Sequence, residues 1–409
     1  MYVFFAQILL LINNAVFSLF SIFFLMSPLS KIDFGHVMYG LGLATWMAVI
    51  IEYGFSLSLP KYRSEKIQEG ARLNELIATT LSAKLLLTLA LSCIGVIFAV
   101  ILNIPPSLIF LAILLGMAQG LLPVWFYQGQ RQLLLVALID AFFIVLGIAI
   151  VYYYTSWGGK SFIACLFVYA LVRLFSALVT NFILMHQTAT IQLAKLSLAI
   201  NLLVSEKQTF IYTLAGSLYT SFNVVILGIF VSPMLIGIYI SIERLIRLFT
   251  SMIAPMTRTL YPRMINEFKR SKIEAMKVWK KILLFYLLGS SAITVCAFLM
   301  SDNIILFIFK DDSYLVYANI FQVLIFTIPC IAVSNVLGGL FMLPNNMEKQ
   351  ASSILLVAGT FNVLASLVIV NFFGILGMAE VVLVVEILIL TLMSYFVSRK
   401  IRGWFYADS

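Results

Sequence analysis

Ten charged side chains lie inside long apolar stretches of this sequence, and theirs is the chemistry to explain first. The acids are Glu52, Asp140, Glu243, Glu380 and Glu386; the bases are Lys84, Arg173, Arg244, Arg247 and Arg258. A single charge at a bilayer centre costs at least about 2.5–3.5 kcal/mol on insertion scales, so such residues turn to a protein interior or a wet cavity and find partners. Arginine presents a planar fork of donors that matches phosphate and keeps its charge when buried. A carboxylate left without a matching cation is open to protonation. The set therefore combines anion recognition with charge pairing and proton coupling. Metal ligation has no support, because His36 and His186 stand alone at the ends of apolar runs and Cys93, Cys165, Cys296 and Cys330 are far apart.

Spacing sorts these residues. Glu243 and Arg247 are four apart in the acid-first order that favours a pair on one helical face, which leaves Arg244 beside them. Arg244, Arg247 and Arg258 place three cations along one run, as a phosphate-bearing anionic substrate would require; Arg258, near the run's end, is alternatively explained by snorkelling to the interface. Glu52, Lys84 and Asp140 each lie seven or eight residues from the same end of their runs, roughly 10–12 Å deep at the helical rise. They are expected to cluster, with Lys84 either a neutralising tie or a participant in substrate access and proton coupling. Arg173, near mid-run, reads either as a cavity-facing cation or as a cross-helix partner of Asp140 or Glu52. Glu380 and Glu386 are six apart and point to different faces; one of them is a candidate partner for Arg244 or Arg173.

The elements that must position these groups are membrane spans. The 409 residues are 63% hydrophobic and 11% charged, with a mean hydropathy of +1.08, too few charges to coat a soluble domain. A helix needs about 20 apolar residues to cross the hydrocarbon. Twelve runs qualify, near 5–27, 36–59, 76–102, 106–126, 133–154, 161–184, 209–231, 235–261, 282–300, 316–343, 351–372 and 375–398. They are too long and too uniformly apolar for barrel strands. The first has neither the charged start nor the small-residue cleavage site of a signal peptide and reads as a span. The expected fold is an all-α polytopic membrane protein of about 12 transmembrane helices. Pro123 and Pro329 are expected to kink their runs. The expected layout is an N-terminal six-helix bundle over 1–184, an amphipathic linker over 185–208, a C-terminal six-helix bundle over 209–398 and a tail over 399–409.

Eighteen of the 26 Lys and Arg residues fall in the loops on one side and three on the other. By the positive-inside rule this places both termini in the cytoplasm. The net +9 is thus a topology signal, and nucleic-acid binding is not expected.

An internal echo divides the chain. Phe34-Gly35 to Leu59-Pro60-Lys61 matches Ile236-Gly237 to Tyr261-Pro262-Arg263, with 25 residues from Gly to Pro in both copies, and Ser27-Pro28 and Ser232-Pro233 precede them. Gly is expected to open each helix and Pro to end it at the cytoplasmic face. Both copies run in the same direction, which makes the two halves parallel repeats, a transporter design.

Several of these motifs resemble those of a known family. Pro123-Val124-Trp125-Phe126-Tyr127-Gln128-Gly129-Gln130 resembles the segment after the fourth span of bacterial O-antigen flippases, with Gln130 where that family often has Glu. Ile51-Glu52-Tyr53-Gly54-Phe55 is similar to the family's second span. Leu218-Tyr219-Thr220-Ser221, Gly237-Ile238-Tyr239, Glu243-Arg244 and Leu260-Tyr261-Pro262-Arg263 match its spans seven and eight. The chain thus resembles the Wzx-type polysaccharide transporters of the multidrug/oligosaccharidyl-lipid/polysaccharide exporter superfamily.

That resemblance implies two six-helix bundles forming a V in the bacterial inner membrane. It implies movement of undecaprenyl-pyrophosphate-linked oligosaccharide to the outer leaflet by alternating access, driven by an H+ or Na+ gradient. A glycan polymerase and a chain-length regulator are the implied partners, with no cofactor and no catalysis. Two rivals stand beside it. A drug/cation antiporter of the same superfamily would favour a carboxylate-rich cavity. A membrane-embedded glycan polymerase or acyltransferase would need a sizeable outer loop or a His/Asp pair, and the outer loops here are short.

Overall fold

The computed structural model describes residues 28–65, 70–130, 132–188 and 193–407, with isolated positions 9, 13, 20, 22 and 25; the side chains at 61–65, 70–72, 254, 258 and 405–407 fall outside that description. The expected span at 5–27 therefore lies almost wholly outside the described residues. The chain divides into two compact units, residues 1–240 and 241–409.

In the first unit, α1 (Lys31–Glu52) begins where Ser30 caps it, the Ser30 hydroxyl accepting from the Asp33 amide at 3.1 Å. Ser30 and Asp33, and not Gly35, open this helix: the serine satisfies an orphan amide and the acid complements the positive end of the helix. The helix stops at Tyr53 and Gly54, both at positive φ (56° and 79°), and α2 (Phe55–Glu65) follows. The expected run 36–59 is thus two helices. Next come α3 (Gly70–Ile101), α4 (Pro106–Leu121), the short α5 (Val124–Gly129), α6 (Leu133–Ser156) and α7 (Phe162–Thr188). α8 (Leu196–Ser205) precedes α9 (Lys207–Leu218) and α10 (Asn223–Phe230), which are bent by 49° across residues 219–222. α11 (Pro233–Ser251) carries the chain from the first unit into the second.

α1 packs most extensively on α4, and α4 on α7. The close α1–α4 approach depends on Gly116 and Gly120, a small-xxx-small pair. A Cβ at Gly116 would stand 2.9 Å from the Met47 Cβ, and one at Gly120 2.5 Å from the Ile51 Cγ2. The two repeat-related glycines also meet: a Cβ on Gly237 would lie 2.7 Å from the Gly35 Cα, and one on Gly35 would collide with the Pro233 carbonyl.

In the second unit, α12 (Ile253–Arg270) leads to α13 (Lys272–Leu299) and α14 (Ser301–Phe309). A 3-10 turn (Asp312–Tyr317), α15 (Ala318–Ile325) and α16 (Thr327–Leu337) follow, then a π turn (Gly338–Met342). The long α17 (Glu348–Ala407) kinks at Gly374 (φ 57°, ψ −137°).

Pro60 and Pro262 do not terminate helices as expected; they sit inside α2 and α12, which run on to Glu65 and Arg270. Proline removes one amide donor, and the polar residues beyond it carry these helices out of the apolar zone. The true interruptions precede the prolines in both copies, at Tyr53-Gly54 and at Met252. Pro123 does break its span, separating α4 from α5, and Pro329 lies in the first turn of α16, just after the interruption at Phe326.

Among the described residues eight helices are long and apolar enough to cross a membrane, and the bent α9–α10 pair makes nine. Dividing α17 at its kink makes ten, and the expected span at 235–261 falls on α11 and α12, whose charged residues keep it outside that count. The protein is an all-α polytopic membrane protein.

Candidate functional site

The break at Pro123 explains Lys84. Ending α4 there leaves its last carbonyls without helical partners. Lys84, 2% exposed in the middle of α3, donates from Nζ to the carbonyls of Gly120 (2.6 Å) and Leu122 (3.2 Å). Asn181 of α7 donates to the Leu121 carbonyl at 3.1 Å. A cation at a helix C-terminus also opposes the negative end of the macrodipole. Lys84 is therefore tied to a helix end.

Glu52 does the corresponding work at the neighbouring break. Its carboxylate accepts from the amides of Gly54 (2.9 Å) and Ser56 (2.5 Å), capping α2. Tyr53, turned by its positive φ, stacks on Phe210 with ring centroids 4.2 Å apart and donates from its hydroxyl to the Leu203 carbonyl at 3.0 Å. Both motifs of the first unit meet here. Tyr53 and Phe55 share one buried cluster with Trp125, Phe126 and Tyr127, and the Tyr127 hydroxyl donates to the Thr180 carbonyl of α7 at 3.0 Å.

Asp140 does not join Glu52 and Lys84, so the expected three-residue cluster divides. Glu52 and Lys84 each hold a helix end, whereas Asp140 of α6 binds Arg173 of α7 through Arg173 Nη1 and Asp140 Oδ1 at 2.5 Å. The two side chains are 2% and 4% exposed, and the Ser176 hydroxyl donates to the same carboxylate oxygen at 3.2 Å. Of the two readings of Arg173, the structure has the cross-helix partner. A lysine already holding two carbonyls does not need Asp140 as well, and α6 and α7 pack directly on each other.

On α11 the Glu243–Arg247 pair forms at 2.7 Å, with the Arg247 side chain 43% and the Glu243 side chain 12% exposed. Arg244, on the adjoining face, is half-buried. Arg258 lies on α12, and its side chain is outside the described residues. Glu380 is exposed and Glu386 buried on α17, consistent with their lying on different faces, and neither makes an ion pair or hydrogen bond among the described residues. Among those residues no group of His, Cys, Asp or Glu could hold a metal ion. A cavity of about 720 Å³ between α3 and α4 is lined by residues such as Thr88, Val96, Phe110 and Met117, with no charged side chain; it is not where an anion would bind.

Asn181, Ser176 and the Gly120–Leu122 carbonyls escaped the charge-based reading. The usable signal was Pro123 itself, since a proline that ends a buried helix leaves carbonyls that some donor must reach.

These features define a multi-pass helical membrane protein with interrupted spans, some of whose buried charges pair within the first unit, an architecture shared with solved transporters. The chain superposes on “Lipid II flippase MurJ, inward closed conformation” with a TM-score of 0.75 at 13% identity, over 97% of this chain and 86% of that one. An inward-facing multidrug resistance MATE family transporter of the MOP superfamily aligns with a TM-score of 0.66 at 10% identity, over 97% and 96%. In sequence, the chain is similar to two proteins named “Putative O-antigen transporter”. The one from Shigella dysenteriae is 23% identical over 358 residues (85% of this chain, 87% of the relative). The one from Escherichia coli K12 is 25% identical over 404 residues (95% and 94%). The profile of the polysaccharide biosynthesis protein family matches residues 4–269. The chain belongs to that family, the group of Wzx-type polysaccharide transporters its motifs resemble.

Proposed function

We propose that this protein is a flippase that moves an undecaprenyl-pyrophosphate-linked oligosaccharide from the cytoplasmic to the periplasmic leaflet of the bacterial inner membrane. The mechanism is alternating access coupled to H+ or Na+, with both termini cytoplasmic, no catalytic step on the glycan, and a glycan polymerase and chain-length regulator acting downstream. Residues 1–184 and 209–398 are the two repeat-related bundles, joined by 185–208. The names of the relatives and the MurJ-like fold support this reading.

One observation carries the assignment of roles. Lys84 and Arg173 are buried and engaged with a helix end and with Asp140, whereas Arg244 and Arg247 keep solvent-accessible surface on one helix. Those two arginines, with Arg258 further along the chain, are the cations that meet the pyrophosphate. Glu243 orients Arg247. Lys84, Glu52, Asp140 and Arg173 hold the first unit together. Glu386, buried without a partner among the described residues, is the coupling carboxylate, with Glu380 on a different face. Glu386 is also the observation that favours the second reading, a drug/cation antiporter, since a buried acid suits a cationic cargo.

Labelled lipid-linked oligosaccharide in cells lacking the gene distinguishes the two. Accumulation on the cytoplasmic face with loss of surface glycan is expected; normal surface glycan with heightened drug sensitivity would replace the flippase by the antiporter.

A further inference from the structure

Beyond transport, the second unit holds an unassigned cavity at the end of α17. The apolar stretch of that helix ends at Val397, and the next turn carries Arg399 and Lys400, cations of the kind that mark the end of a span. A cavity of about 400 Å³ opens there, lined by Met347, Gln350, Phe396, Arg399, Lys400 and Trp404. Its size falls within the range of small-molecule sites, about 300–1,000 Å³. The lining holds two cations and one amide but no acid, and neither cation makes an ion pair among the described residues.

The wall is fixed. The Trp404 ring lies 5.6 Å from Phe341 of the π turn and 6.0 Å from Phe268 near the end of α12. Lys272, at the start of α13, places its Nζ 5.4 Å from the Trp404 ring centroid, adding a third positive charge beside the cavity. A side chain at Gly403 would meet open space, so the absent Cβ keeps the floor clear. Two cations lining the same cavity as Phe396 and Met347 suit a ligand that is anionic in one part and apolar in another.

We propose that this cavity binds the phosphate headgroup of an anionic phospholipid, with Arg399 and Lys400 on the phosphate, Gln350 on the glycerol oxygens and Phe396 and Met347 against the first acyl carbons. Basic pockets between helices at the membrane boundary hold such headgroups because each cation near the surface contributes favourably and the aromatic belt sets the depth. Inorganic phosphate shares the same recognition chemistry but has no use for the apolar side.

The test uses full-length protein purified with phosphatidylglycerol and phosphatidylethanolamine, with retained lipid read by native mass spectrometry. The wild type should retain phosphatidylglycerol preferentially, and R399Q/K400Q should lose that preference by roughly tenfold or more. K280Q/K281Q, which removes two exposed charges elsewhere, should keep it. If the double variant fails to fold, Gly403→Leu fills the cavity with both charges intact and should lose the lipid equally. Unchanged retention in the folded double variant or in Gly403→Leu overturns the proposal. So does millimolar inorganic phosphate binding to lipid-free protein through the same two residues while lipid retention stays unaltered. Lipid retention is measured without transport, so its failure is separate from failure of the flippase reading.

Discussion

Arg173 and Asp140 hold each other across the α6–α7 contact at 2.5 Å, almost fully buried, with Ser176 on the same carboxylate oxygen. The pair cancels two charges that the bilayer would otherwise exclude, and it makes the arginine nearest mid-span a bond between helices.

Breaking the pair from one side should therefore cost more than removing it altogether. Arg173→Leu leaves the buried Asp140 carboxylate with Ser176 but no matching cation, with an expected loss of about 3–5 kcal/mol. The double change Arg173→Leu/Asp140→Leu should recover most of that stability. Unfolding of the purified variants in detergent, arranged as a double-mutant cycle, measures the coupling; additive losses would mean that the two residues act separately.

Lys84→Met should destabilise the first unit by about 1–3 kcal/mol, because the Gly120 and Leu122 carbonyls lose their donor in a buried site. Its effect on transport should follow the amount of folded protein. A variant that folds normally yet transports nothing would assign Lys84 a direct role in substrate handling.

Gly116→Leu and Gly120→Leu should each abolish accumulation of folded protein, since α1 leaves no room for a side chain at either position. Gly289→Leu, where a Cβ would meet nothing within 4 Å, should be tolerated; membrane-fraction yield and melting temperature report both.

How much of this was legible in the sequence varies with the kind of interaction. Composition and run length gave the membrane class, because nothing else accommodates so much apolar surface. The Glu243–Arg247 pair was legible because helical spacing alone specifies it. Asp140–Arg173 was visible as one of two options and was decided by the packing of α6 on α7. Lys84 was misassigned to a cluster with Asp140 because its partners are backbone carbonyls, which carry no sequence signature except the proline that exposes them. Helix ends at Pro60 and Pro262 were misplaced for a related reason. The chain breaks where Tyr53 and Gly54 take positive φ and where α11 gives way to α12 at Met252, while a proline within a helix removes only one donor.

Arg244→Gln/Arg247→Gln should leave melting temperature within about 2–4 °C of wild type, as expected for half-exposed positions whose loss costs about 1 kcal/mol or less in a chain of this size. Transport should nonetheless be abolished. Glu243→Gln, which frees Arg247 from its partner without removing a cation, should change the rate without eliminating it. Surface-glycan display in complemented deletion cells checks both; full display by the double variant would make these arginines structural.

The central claim is tested most directly by the leaflet distribution of labelled polyprenyl-pyrophosphate oligosaccharide in proteoliposomes carrying the purified protein. The wild type should expose the glycan to an external probe on imposing an ion gradient, and R244Q/R247Q should not. Equal exposure by wild type, double variant and protein-free vesicles would contradict a flippase that recognises the pyrophosphate through α11.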